Sequence, residues 1–381
     1  MTGPDNIAAL PREVNRQWLL VSRPEGMLDE RNFRFTQSPV PVPADGQVLI
    51  RNFWLSFDPT QRAWMSRDTY VPKIPLGEVM KGTALGQIIK SRSPKYSAGE
   101  LVTGIFGWQD YFATDGNGPY PILKVPQGIP PTLLLGLFGT TGVTAYIGVN
   151  DFCQCKPGET FVVSAAAGAV GSIAGQIAKV KGCKVIGIAG GRAKCDWVVI
   201  EAGFDGAVDY RSEDVGKRLS ELCPKGIDVY FDNVGGPILD EVLKRINLRA
   251  RVVLCGAISQ YNSKVPYGIM NYPYLVSRRA RMEGFLVLDY AARYPEAIDA
   301  LFGWLQEGRL KHKEDVAIGL ENAPKAFIRL FTGENFGKQL LKIADFPETT
   351  ASLEGTNQID GNPAIMPTLG GRRVQISPAR V

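Results

Sequence analysis

The stretch "TFVVSAAAGAVGSIAGQIAKVKGCKVIGIA", residues 160–189, limits the fold more than any other part of the chain. It reads as a short apolar strand, a turn of small residues, a helix and a second apolar strand. Val170, Ile173, Ala174, Ile177 and Ala178 fall on one helical face, and Gly182 is placed to end the helix. The turn carries Ala166-x-Gly168-x-x-Gly171, with Gly175 one helical turn onward. A lone G-x-G-x-x-G is weak, and here alanine takes its first place. The context is specific, because a strand enters, a helix leaves and a second strand follows at the expected distance. Gly168 would let backbone amides approach a pyrophosphate held at the helix N-terminus. Gly171 and Gly175 would let the helix pack closely on the sheet. A glycine-rich turn that packs closely but holds no nucleotide is the plainer alternative.

The alternation continues beyond this unit. "AKCDWVVIEAG", "EDVGKRLSELC" and "GPILDEVLKRI" read as helices, and "GAVDY", "GIDVYFDNV", "ARVVLCGA" and "RMEGFLVL" as strands. Six strands with intervening helices require a doubly wound parallel sheet, so the fold class is α/β. The first ~135 residues differ: "QVLIRNFWLSF", "TALGQIIKSR" and "LVTGIFGWQDYFAT" are β-type runs broken by closely spaced turn signals. "LLLGLFGTTGVTAYIGV", residues 133–149, reads as one apolar helix between the two textures. After residue 305, "NAPKAFIRLFTGENFGKQLLKIA" reads as a helix, a glycine-rich turn and a closing strand. Residues 349–381 lack apolar periodicity and are expected to be a flexible tail.

Composition narrows the chemistry. With 381 residues, 45% of them hydrophobic, the chain can bury a large core, and its length suggests two domains. The net charge of +5 is dispersed, and the densest basic cluster, "SRRAR" at 277–281, reads as solvated surface. Nucleic acid is therefore not an expected partner. The six cysteines show neither paired zinc spacing nor a small disulfide framework and read as reduced thiols. No apolar signal core and no run of the ~20 residues that span a bilayer is seen, so a cytoplasmic protein without a membrane partner is expected. The single histidine, His312, lies in the polar "GRLKHKEDVA". No metal site and no histidine-based triad is expected, which leaves catalysis to a cofactor, Tyr, Lys, Cys or carboxylates.

"IAGGRAKC", residues 188–195, ends the second strand of the unit. A carboxylate there would hold a free ribose 2′-hydroxyl and repel a 2′-phosphate. Gly190 and Gly191 leave space instead, and Arg192 and Lys194 bring positive charge, which suits NADP. Cations at a helix N-terminus oppose the macrodipole, which favours a functional reason over two solvated residues. Reduced NADP points towards a reductase.

The series "AAAGAVGSIAGQIAKVKGCKVIGIAGG…KC", "GFD…Y", "YFDNVGG", "GAISQYN", "RMEGFLV" and "ENFGKQ", with "WLSFDPTQRAWM" near the start, occurs in this order. It resembles the zinc-independent medium-chain dehydrogenase/reductases, in the branch of prostaglandin reductases and alkenal, enone and curcumin double-bond reductases. The resemblance covers residues 15–346. It implies a GroES-like mostly β substrate domain over 1–137, an NADP-binding Rossmann domain over 138–304, and a return to the first domain over 305–348. It places the pyrophosphate at Gly168, Ala169, Val170 and Gly171, and the 2′-phosphate at Lys194 and Tyr210. Asn233, the run Cys255, Gly256, Ala257, Ile258, Ser259 and Tyr261, and Phe285, Leu286 and Val287 would also line the cofactor. Asn335 would reach back from the other lobe. A homodimer is implied by resemblance alone.

The implied reaction is reduction of the C=C bond of an α,β-unsaturated carbonyl. Hydride reaches the β-carbon and charge gathers on the carbonyl oxygen, which needs a hydrogen-bond donor. Tyr261, in "SQYN", is the candidate catalytic group, since a phenol with a pKa near ~10 is protonated at neutral pH. A packed aromatic is its other reading. Many relatives carry tyrosine where this chain has Thr60, so that role is lost or moved. Trp54, Trp64, Met65, Tyr70 and Tyr267 are candidates for an aromatic-tolerant pocket. Cys255 has no histidine to activate it and reads as a structural thiol. A quinone reductase of the same superfamily and a non-catalytic NADPH-binding protein stay open as alternatives.

Overall fold

The computed structural model describes residues 13–117, 122–126 and 129–346, so the tail expected at 349–381 lies outside the described residues. The chain opens with an antiparallel pair, β1 (Val14–Leu20) and β2 (Phe33–Pro39). A seven-stranded sheet follows, built on β3 (Val48–Ser56), β4 (Thr83–Ser91), β5 (Leu101–Ile105), β6 (Tyr111–Thr114) and β7 (Leu123–Lys124). Strand β3 is buried along nearly its whole length, as "VLIRNFWLS" suits a strand covered on both faces. The short helix α1 (Gln61–Trp64) follows it directly.

The second layer begins with α2 (Thr140–Ile147) and runs through β8 (Thr160–Ser164), α3 (Ala169–Val180), β9 (Lys184–Ala189), α4 (Arg192–Ile200) and β10 (Gly206–Asp209). It continues with α5 (Val215–Leu222), β11 (Ile227–Asp232), α6 (Gly236–Leu243), β12 (Ile246–Leu254), α7 (Pro273–Ser277), β13 (Arg281–Gly284) and α8 (Tyr294–Gln306). The six strands are parallel in the order β10-β9-β8-β11-β12-β13, the doubly wound arrangement expected from the alternation. Strand order reverses between β8 and β11, and open α/β sheets take ligands outside the carboxyl ends at such a point. On α3, Ile173, Ala174, Ile177 and Ala178 are buried as the periodicity demands, with Val170 half-buried.

The chain then returns to the first sheet. Strand β14 (Glu314–Ile318) pairs in parallel with β15 (Lys338–Lys342), and β15 pairs antiparallel with β3 through Leu340–Ser56, Leu341–Leu55 and Lys342–Trp54. Helix α9 (Ala323–Thr332) lies between them and sends Phe327 into the core against Phe57 and Trp108.

Two expectations need correction. The apolar run 133–149 is not one helix: a 3₁₀ turn over Pro131–Leu135 ends at Gly136, and α2 starts only at Thr140. The chain doubles back there so tightly that a Cβ on Gly142 would sit 1.7 Å from the Leu137 carbonyl oxygen. The stretch "RMEGFLVL" is strand only over its first four residues. Beyond Gly284 the chain leaves the sheet edge, because Phe285 stacks on Phe152 with centroids 4.7 Å apart and Val287 is buried beside Val143 and Ile147.

Candidate active site

The glycine turn between β8 and α3 has no slack. A Cβ on Gly171 would lie 2.3 Å from the Ala165 carbonyl oxygen, and one on Gly175 would lie 2.0 Å from the Phe204 ring. The helix therefore sits closer to the sheet than any side chain permits. Ala166, in the first place of the fingerprint, is fully buried and faces Gly187 of β9, where a Cβ would come within 2.8 Å of the Ala166 methyl. The space that alanine consumes in the turn is returned by glycine on β9. No side chain caps α3 at Gly168, so the first-turn amides of Ala169, Val170 and Gly171 are left to an outside acceptor.

At the end of β9 the cations separate. Arg192 points away, its side chain 92% exposed and paired only with Asp196 at 3.5 Å. Lys194 turns inward, and its Nζ donates to the Gly333 carbonyl at the C-terminus of α9, 2.8 Å away. Burial holds the Lys194 ammonium below its ordinary pKa, with Arg211 adding to the effect. Arg211, which sequence reasoning missed, donates to the Thr332 carbonyl at 2.9 Å and the Gly333 carbonyl at 3.2 Å. The Tyr210 ring covers Gly190, where any Cβ would lie 2.8 Å from it. Lys194, Tyr210 and Arg211 thus gather round Gly333, and Arg192 does not join them. The only cue to Arg211 was its place directly after the third strand.

The loops after β11 and β12 are organised by Asp232, a second residue missed from sequence. Its buried carboxylate accepts from Ser164 Oγ and Tyr230 OH at 2.8 Å, and from the amides of Val234 and Gly235. Burial nonetheless lifts its pKa above the usual carboxylate value. Asn233 donates its amide nitrogen Nδ2 to the Ser164 carbonyl at 2.8 Å, which fixes the side chain against β8. Ile258 and Ser259 donate their backbone amides to the carbonyls of Asn233 and Val234. Residues 255–261 therefore rest on the β11 loop. Cys255 has its thiol pushed up to about 12 by burial and by Asp232, so it is no ready nucleophile.

Tyr261 closes this loop. Its phenolic oxygen accepts the Ala257 amide at 3.3 Å, which leaves its own proton to be given elsewhere. Burial raises its pKa, so the phenol is protonated at neutral pH. From the other lobe, Arg62 of α1 donates Nε to Asn262 Oδ1 at 2.8 Å, and Nη2 to the carbonyls of Pro24 and Gly26. This guanidinium straps the substrate-side lobe to the residue after Tyr261. Thr60 Oγ1 and Tyr70 OH are 2.8 Å apart. Trp54, Trp64 and Met65 are core rather than pocket, and Tyr267 is held on Asp240 at 2.9 Å.

Asn335 lies in the loop that joins the lobes, its Nδ2 donating to the Gly337 carbonyl at 3.1 Å. The Gly337 amide donates to the Ala167 carbonyl at 2.9 Å, and Gly337 bridges Gly168, so this loop abuts the glycine turn. Of the run 285–287, Phe285 and Val287 spend their side chains on packing, and Leu286 is half-buried. Among the described residues no group of three or more His, Cys, Asp and Glu side chains could hold a metal ion, and His312 is exposed.

Comparison with known proteins bears on this arrangement. Residues 16–122 match the family described as the N-terminal domain of oxidoreductase, and residues 169–303 match the zinc-binding dehydrogenase family. The chain is 41% identical over 340 residues to the NADPH-dependent curcumin reductase of Escherichia coli, covering 87% of this chain and 98% of that protein. It is 40% identical over 301 residues to the 2-alkenal reductase (NADP(+)-dependent) of Nicotiana tabacum, covering 78% and 87%. Among solved structures, CurA in complex with NADPH from Vibrio vulnificus superposes with a TM-score of 0.82 at 43% identity, over 87% of this chain and all of that one.

Proposed function

The chain belongs to the zinc-independent branch of the medium-chain dehydrogenase/reductases, and we propose that it reduces the C=C bond of small to medium enones and enals. It is an NADP-dependent oxidoreductase acting on such bonds. The observation that carries the reading is Tyr261: a protonated phenol whose oxygen already accepts the Ala257 amide, at the carboxyl end of the parallel sheet.

The residues fit the cofactor. An uncapped helix start at Gly168 offers amides to a pyrophosphate, and the cluster of Lys194, Tyr210 and Arg211 suits a 2′-phosphate. Asn233, held on Ser164, and the loop 255–261 would line the reactive end, with Leu286 beside them and Asn335 closing from the other lobe. When bound, NADPH supplies a hydride. The Tyr261 phenol donates a hydrogen bond to the substrate carbonyl oxygen as negative charge builds there, and the Ala257 amide keeps the phenol oriented. Asp232 holds the two loops in register, and Arg62 keeps the Tyr261 loop against the substrate-side lobe.

The test is NADPH oxidation with a medium-chain 2-alkenal, its product identified by mass and NMR. A saturated aldehyde is expected. An allylic alcohol, or turnover with quinones alone, overturns the reading. We also place the protein in the cytoplasm as a homodimer joined at the edge of the parallel sheet formed by β13. Sedimentation equilibrium that finds only monomer overturns the dimer.

A further inference from the structure

Away from the cleft between the two lobes, the amino ends of β8 and β9 bring two thiols together. Cys155 lies in the loop that leads into β8, and Cys183 directly precedes β9. Both are buried, at 9% and 2% exposure, in the core cluster that also holds the inner face of α3. The main chain holds the two segments against each other. Gly158 donates its amide to the Gly182 carbonyl at 2.9 Å, and Lys184 donates its amide to the Glu159 carbonyl at 2.9 Å. Gly182 turns the chain out of α3 at a φ of +83°, and a Cβ there would lie 3.3 Å from the Pro157 side chain. The Cys183 thiol donates to the Lys156 carbonyl, 3.4 Å from its Sγ, and so reaches the residue bonded to Cys155. The two thiols are within hydrogen-bond reach of each other.

The two sulfurs are not equivalent. Cys155 accepts from the Cys183 thiol, which holds it below the ordinary cysteine pKa against the opposing pull of burial, and Lys181 adds to the effect. The same bond, together with burial, pushes the Cys183 thiol up. Cys153, Cys195, Cys223 and Cys255 are all pushed up too, with burial the leading cause. Cys155 is therefore the one cysteine of the six held towards its thiolate. Small solutes can come close to it, because Gln154, Lys156, Pro157, Gly158 and Gly182 around it are all exposed. A nucleophilic thiolate backed by a second thiol is the arrangement that lets oxidation by a peroxide stop at a disulfide.

We propose that Cys155 and Cys183 form a redox modification site, at which hydrogen peroxide closes a reversible disulfide across the amino ends of β8 and β9. The Cys155 thiolate attacks one peroxide oxygen, so that an S–O bond forms as the O–O bond breaks. The departing hydroxide takes up the proton that Cys155 gave up and leaves as water. Cys183 then attacks the Cys155 sulfur: the S–S bond forms, the S–O bond breaks, and the Cys183 proton leaves with the hydroxide as a second water. Two thiols are oxidised by two electrons in all, and one peroxide is reduced to two waters. The cross-link encloses β8, the glycine turn and α3, the unit that carries the candidate cofactor site. It lies at the end of β8 away from that turn, so it fastens the unit without entering the site. Constraint of the unfolded chain across such a loop stabilises the folded form.

The experiment treats the reduced full-length protein with a small excess of hydrogen peroxide and reads intact mass, a peptide map and the melting temperature. Loss of two hydrogens, a map that joins the Cys155 and Cys183 peptides, and return to the starting mass with dithiothreitol are expected. The oxidised protein is expected to melt about 5 °C above the reduced one, with NADPH affinity changed by less than about twofold. In Cys183→Ser, Cys155 is expected to halt at the sulfenic acid, trapped on its peptide by a 1,3-diketone. In Cys155→Ser, the Cys183 thiol is expected to stay unoxidised under the same dose. An unchanged wild-type mass, a disulfide that joins any other pair, or an oxygen adduct at Cys155 that never resolves overturns the proposal. Oxidation of Cys183 in Cys155→Ser at the wild-type rate overturns it as well, and a cross-linked protein that melts no higher overturns the stabilising role.

Discussion

The two sides of the cleft are built from different materials. On the sheet side, main chain does the work: the glycine turn, the uncapped start of α3 and the β11 loop tied by Asp232 are fixed to within the width of a methyl group. On the facing side, long side chains do it: Arg62 of α1, with Arg67 and Tyr70 in the segment that follows it. Backbone pressed against backbone cannot accommodate a change, whereas an arginine can be replaced without moving its neighbours. The first material suits recognition of one invariant ligand. The second suits recognition that is free to differ between relatives.

The contrast predicts a gradient of mutational cost. The largest effect is expected for Gly175→Ala, whose methyl would meet the Phe204 ring at 2.0 Å. Overpacking of this kind costs roughly 3 kcal/mol, read as a shift in the urea midpoint, and Phe204→Leu should recover part of it. Indifference to Gly175→Ala would break the claim that the sheet side is rigid. Next comes Tyr261→Phe, expected to lower kcat ~10²-fold with little change in NADPH affinity, as for loss of one preorganised donor. The raised phenol pKa also sets a sign. The donor is protonated at low and neutral pH and is lost as pH rises through a value above the ordinary tyrosine pKa of ~10, so the wild-type rate should fall only in that alkaline range. The variant should lack that limb, and an unchanged profile would remove Tyr261 from the reaction.

Smaller effects follow outward. Lys194→Ala should weaken NADPH binding by about 1–3 kcal/mol while sparing NADH, as titration of the two cofactors would show. Equal losses for both would take the 2′-phosphate away from this lysine. Arg192→Ala should change NADPH affinity by less than about 0.5 kcal/mol, because its side chain is in solvent. A larger loss there would mean that the exposed arginine swings in when the ligand arrives.

The same division decides what could be read from the chain alone. The parallel sheet and the glycine turn were legible because their code is local: a few small residues, an apolar period and a strand on each side. Lys194 was picked out for the same reason, and the structure turns it inward to the Gly333 carbonyl. Asp232 was not, since an aspartate at the end of "YFD" has the same letter whether it faces solvent or collects four donors from two strands and the loop that follows it. Arg62 stood inside a quoted motif, yet its partner Asn262 lies 200 positions away. The break before α2 was hidden by an unbroken apolar run, because the contact that forces it involves a carbonyl, not a side chain. Trp54, Trp64 and Met65 share the composition of a pocket and the address of a core.

The facing pair Ala166 and Gly187 has a consequence for how such a chain can change over generations. With the Ala166 methyl in place, a Cβ at 187 would meet it at 2.8 Å and the Phe204 ring at 3.1 Å. Each position thereby sets which substitutions the other can survive. A search that looks letter by letter for glycine in the first place of the turn will pass over a chain that carries alanine there and its glycine at 187, on the adjacent strand.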